Sequence, residues 1–151
     1  MIDEFMKNVL FAFLMLATVS VFAQGKTDAW NEFAKTKYEP KYLEKIGEYQ
    51  FFPTFTPEVK ALAGKEISIE GFYVPFAPEE GNYIILSKLP MSQCFFCGVG
   101  GPETIIEVNF KGAPPKFNND DLVTVKGKLK LNADDIDHMN FILTEAVVVK
   151  K

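Results

Sequence analysis

Two cysteines, Cys94 and Cys97, lie in the stretch Met91-Ser92-Gln93-Cys94-Phe95-Phe96-Cys97-Gly98-Val99-Gly100-Gly101-Pro102, and the chain has no others. A Cys-x-x-Cys-Gly turn brings two sulfurs to one point, and three chemistries use such a pair. The first is metal binding. A closed zinc site takes four ligands, of which this turn supplies two thiolates. The remainder must come from elsewhere in the chain or from a second chain. His138, the only histidine, lies in Asp134-Asp135-Ile136-Asp137-His138-Met139 and is the nitrogen ligand on offer. Met91 and Met139 suit a soft copper(I) site with the thiolates. The second is thiol–disulfide exchange in an exported protein. Redox enzymes place the motif at a helix N-terminus, where the thiol pKa is lowered. Here an apolar strand precedes it, and Gly98 to Pro102 is a poor helix start. The third is structural: a local Cys94–Cys97 disulfide, or two small apolar groups packed in a turn. So small a ring contributes little loop-closure entropy. All three readings stay open at this level.

Other chemistry is sparser. Asp120-Asp121 and Asp134-Asp135-Asp137 offer oxygens to calcium but lack the EF-hand spacing. Phe51, Phe52, Phe55, Phe72, Tyr73, Phe95 and Phe96 can line a ligand groove or fill a core. There is no serine–histidine elbow, phosphate-binding glycine loop or paired-carboxylate motif, so an enzyme is not expected. Every basic side chain is lysine. Bidentate recognition of phosphate and guanine favours arginine, so nucleic acid is a poor partner for this acidic chain.

The first residues read as a targeting segment. Lys7 precedes an apolar run from Val9 to Ala23, with small residues at Val21 and Ala23 before Gln24. The run is short for a membrane span, which takes about 20 residues. It fits a signal peptide over 1–23, cleaved after Ala23, with translation starting at Met1 or Met6. No cysteine follows it, so no lipid or membrane anchor is expected after cleavage. Setting aside Asp3, Glu4 and Lys7 from the 16 basic and 20 acidic residues leaves 15 and 18, a net charge of −3.

The elements that must position the cysteine turn are mostly strands. Residues 24–63 read as a helical and irregular segment that packs on the rest. Thr27 to Lys37 is a short amphipathic helix with Trp30 as its anchor. Tyr38 to Gln50 is an irregular extended piece. Thr56-Pro57-Glu58 starts a brief second helix that Gly64 ends. Residues 64–151 then carry five strands. The first, Lys65 to Phe76, alternates through Ile67 and Ile69 until Gly71, where a bulge or bend is expected. Asn82 to Ser87 is short and apolar throughout. Thr104 to Phe110 follows the cysteine turn. Leu122 to Leu131 alternates most clearly, and Phe141 to Val149 is last. This order predicts a mainly β domain, a five-stranded, partly open OB-fold-like barrel with one or two short N-terminal helices.

Gly64-Lys65-Glu66-Ile67-Ser68-Ile69-Glu70-Gly71-Phe72-Tyr73-Val74-Pro75-Phe76, followed by an apolar strand and a Cys/Gly/Pro-rich loop, resembles a family of small exported bacterial domains of unknown function. The resemblance covers about Phe51 to Val149 and implies an OB-fold-like barrel in the periplasm. Other members often carry one cysteine with a histidine nearby, where this chain has Cys94-Phe95-Phe96-Cys97. The expectation is an exported, periplasmic or secreted binding or accessory module with an unknown ligand or protein partner. The alternatives are a zinc or copper protein using Cys94, Cys97 and His138, and a thiol–disulfide redox protein.

Overall fold

A computed structural model describes residues 28–76 and 82–151. The signal peptide, its cleavage after Ala23 and the choice of start lie outside those residues. Helix α1 (Ala29–Phe33) is a single turn, shorter than the sequence predicts. The Asp28 carboxylate caps it, accepting from the Trp30 backbone N–H at 3.2 Å. Past Phe33 the chain turns and extends. Strands β1 (Lys37–Leu43) and β2 (Glu48–Thr54) form an antiparallel hairpin with Tyr42 opposite Tyr49 and Pro40 opposite Phe51. This replaces the expected irregular stretch. Pro40 and Pro53 are tolerated because each strand pairs on one side only. Helix α2 (Pro57–Lys60) begins where expected: the Thr56 hydroxyl accepts from the Val59 N–H at 3.5 Å. Gly64, at φ 75°, then turns the chain onto the barrel.

The barrel strands are β3 (Glu66–Val74), β4 (Tyr83–Ser87), β5 (Ile105–Phe110), β6 (Leu122–Leu131) and β7 (Phe141–Lys150). Their spatial order is β3-β4-β5-β7-β6, closing back on β3. The barrel is thus closed where the sequence reading expects it partly open. The physical reason is the parallel pairing of β5 with β7, through Glu107–Ile142 and Val108–Leu143, which joins the two halves. The architecture is that of an OB-fold-like barrel.

Gly71 marks a change of neighbour. β3 pairs with β6 from Glu66 to Phe72, and with β4 from Phe72 to Val74. One strand therefore serves both sides of the barrel. A Cβ at Gly71 would lie 2.9 Å from the Ser87 carbonyl oxygen and 3.3 Å from the Trp30 ring. That empty space seats Trp30, whose indole N–H donates to the Glu70 carbonyl at 2.7 Å. Phe33, fully buried beside it, stacks on Phe141 of β7 at 3.9 Å between ring centres. Helix α1 is thus fastened into the main core by two aromatic side chains.

The barrel interior holds Ile69, Ile84, Leu86, Ile106, Val108, Val123, Val125, Leu129 and Leu143. The outside is not uniformly wet. Val74, Ile85 and Ile105 face outward on β3, β4 and β5, yet all are buried, because the loop from Lys88 to Thr104 folds back over them. Covering on both faces explains why Phe72 to Val74 and Tyr83 to Leu86 are apolar without alternation.

Candidate functional site

The loop that joins β4 to β5 carries the cysteines. Three short 3₁₀ turns shape it: Met91–Gln93, Phe95–Cys97 and Pro102–Thr104. The Cys97 N–H donates to the Cys94 carbonyl at 3.1 Å, and the Gly98 N–H to the Phe95 carbonyl at 2.9 Å. Gly98 lies at φ 78°, a left-handed conformation that a side chain would strain, which is why glycine follows the second cysteine. Two anchors hold the loop down. The Lys88 N–H donates to the Thr104 carbonyl at 2.8 Å, and the Met91 N–H to an Asp120 carboxylate oxygen at 2.6 Å.

The two cysteines are both free thiols but sit in different surroundings. Cys94 is fully buried, packed with Val74, Ile85 and Ile105. Cys97 is exposed, and its thiol donates to the Met91 carbonyl at 2.9 Å. Desolvation by the loop, and next the neighbouring Cys94 thiol, push the Cys97 thiol above its ordinary pKa. This is opposite to the shift an attacking redox cysteine uses. Iodoacetamide at neutral pH should therefore label reduced Cys97 more slowly than a free cysteine. Cys94 should react only after unfolding. Peptide mass spectrometry reads both sites, and prompt labelling of Cys94 in the folded protein would contradict its burial.

His138 does not join the cysteines in a ligand set. Its Nδ1 lies 3.1 and 3.0 Å from the two carboxylate oxygens of Glu107. Among the described residues, no group of three or more His, Cys, Asp and Glu side chains is placed to hold a metal ion. Glu107 points outward from β5, and its side chain is 2% exposed. It also accepts from the Asn109 amide at 2.8 Å and from the Met139 N–H at 3.3 Å. A carboxylate only accepts, so the shared proton sits on Nδ1. Tyr83 stands close by, its ring 6.5 Å from that of His138. Burial, and then the Glu107 charge, raise the Tyr83 hydroxyl above its usual pKa.

The segment carrying His138 is built around Asn132, which is 9% exposed. The Asn132 amide donates to the carbonyls of Asp135, His138 and Met139 at 2.7, 3.2 and 3.2 Å. Its side-chain oxygen accepts from the Asp135 N–H at 3.0 Å. The acidic runs thus act as turn locks. Asp135 accepts from the Asp137 N–H at 3.0 Å, and Asp121 from the Asn118 N–H at 2.9 Å. Asp120 is spent on Met91.

Between the hairpin, the cysteine loop and the 132–140 segment lies a cleft of about 180 Å³. Phe51, Phe52 and Phe95 line one part of it, and Asp134, Asp135 and His138 another. The aromatic set named from sequence is thereby divided. Phe55 is in the main core and Tyr73 packs against it. Phe96 instead packs tilted against Phe76, ring centres 4.4 Å apart. Glu107 and Asn132 carry the site's architecture and were not singled out by spacing. The one signal for Glu107 is a lone acid inside the apolar run Ile105 to Val108.

Comparison with known proteins found no matching family model, no matching curated protein and no matching solved structure.

Proposed function

We propose that this protein is an exported binding or accessory module that holds a cationic group on an apolar stem in the cleft beside His138. The observation that carries the reading is the lining: the exposed rings of Phe51 and Phe95 set against two aspartates. Aromatic faces attract cations, and nearby carboxylates complete the charge. At about 180 Å³ the cleft is smaller than the roughly 300–1,000 Å³ of drug-sized sites. It suits one side-chain-sized group, from a partner protein or a small amine. The segment between β6 and β7 is also one of the loops that OB-folds use for ligands, a fold-level analogy. Export is proposed from the signal-peptide pattern and the family resemblance. Among the described residues, no helix is long and apolar enough to cross a membrane.

The test is a titration of isotope-labelled protein with n-hexylammonium and, separately, with n-hexanol. The amine should shift the amide signals of Phe51, Asp135 and His138, and the alcohol should not. Phe51→Ala should weaken amine binding about tenfold, in keeping with a cation–π contact of about 1 kcal/mol or a little more. Equal responses to the two probes, or none at the cleft, would remove the proposal.

A further inference from the structure

Residues 24–151 contain four sulfur atoms, in Met91, Cys94, Cys97 and Met139. The fold brings all four residues to one place. Cys94 belongs to the small outer core with Val74, Ile85 and Ile105, and Met91 and Met139 both pack against that core. The Cys97 thiol rests on the Met91 backbone. Met139 comes from the segment between β6 and β7, which runs beside β5, and its N–H is tied to Glu107. Nothing about apolar packing alone requires both methionines here. The main barrel core is filled without any.

We infer that Cys94, Cys97, Met91 and Met139 form a binding site for a soft monovalent ion, copper(I). The donor set decides the ion. Thiolate with thioether sulfurs selects copper(I), whereas zinc completes two thiolates with further thiolate, imidazole or carboxylate ligands. The one imidazole is already held by Glu107, and no third His, Cys, Asp or Glu side chain joins the pair among the described residues. The layout fits loading from solvent. Cys97 is exposed at the rim and Cys94 is buried beneath it. The surrounding Val74, Ile85 and Ile105 exclude water, which disfavours the hydrated divalent ions. Binding releases the thiol protons, so affinity rises with pH. Met139 borders both this site and the amine cleft, but copper(I) capture is read independently of amine binding.

The experiment is competition for copper(I) between the reduced protein and bicinchoninate, whose copper complex is coloured. The wild type should bleach the complex up to one ion per chain. Cys97→Ser should weaken capture by about a hundredfold or more, and Met139→Leu and Met91→Leu by about tenfold each, the scale on which single groups at metal sites act. Leucine keeps the apolar volume, and matched thermal melts show that the variants are folded. X-ray absorption on the loaded protein should show sulfur neighbours only. The inference is overturned if the folded wild type fails to bleach the complex, or if Cys97→Ser captures copper as well as wild type. It is equally overturned by zinc binding that ignores both methionines, or by nitrogen or oxygen in the copper shell.

Discussion

Replacing Phe33 with alanine is expected to lower the unfolding free energy by about 3–5 kcal/mol, the usual range for a large buried aromatic. Phe33 is fully buried and stacks on Phe141, with the Trp30 ring edge-on at 5.8 Å. Its removal leaves a cavity that a five-residue helix cannot close by shifting, because Trp30 is pinned to the Glu70 carbonyl. A loss of that size is a large part of the roughly 5–15 kcal/mol that holds a domain together. Urea denaturation should show a lower midpoint with an unchanged slope. A loss under about 1 kcal/mol, well short of a core truncation, would mean that α1 is only loosely attached to the main core.

The second large effect is expected at Asn132→Ala. One side chain satisfies three carbonyls and one N–H of the 132–140 segment. Alanine leaves buried polar groups without partners, at about 1–3 kcal/mol. The functional consequence should exceed the thermodynamic one. That segment supplies His138 to the cleft and Met139 to the sulfur cluster, so both amine and copper(I) binding should fall together. Asn132→Asp keeps the oxygen that accepts from Asp135 but not the amide that donates, and should be nearly as damaging. If Asn132→Ala retains both binding activities at wild-type strength, the segment is ordered by something other than its asparagine.

Much of the fold is legible in the amino-acid order, for reasons that can be located. Leu122 to Leu131 alternates because Val123, Val125 and Leu129 face a dry interior while Lys128 and Lys130 face water. Thr56 before Pro57 is a local signal with a local result. Gly71 is readable as a change in β3, although not that Trp30 fills its space. The hairpin is harder. Lys37-Tyr38-Glu39-Pro40-Lys41-Tyr42 does alternate, but Pro40, like Pro53 in the second strand, argues against a strand unless the chain is known to pair on one side only. The barrel's closure rests on β5 meeting β7, a pairing between segments more than 30 residues apart, which no local pattern announces. The site is least legible of all. The two cysteines are conspicuous, but the partners of His138 and Cys94 lie on other strands. Glu107 looks like an ordinary strand acid until a distant loop covers it.

The pairings also bear on the order in which the molecule assembles. β4 with β5 and β6 with β7 join neighbours along the chain. β3 with β6 links residues as far apart as Glu66 and Lys128. Loop-closure entropy delays such distant contacts, so the two local pairs should form first and barrel closure last. The cysteine turn belongs to the first pair and Met139 to the second. Neither half-formed intermediate holds all four sulfurs, so the complete sulfur cluster arises only at the final closing step. A nascent chain released before that step exposes its thiols without the Met139 thioether, and a soft ion bound early would be held by the Cys-x-x-Cys turn alone.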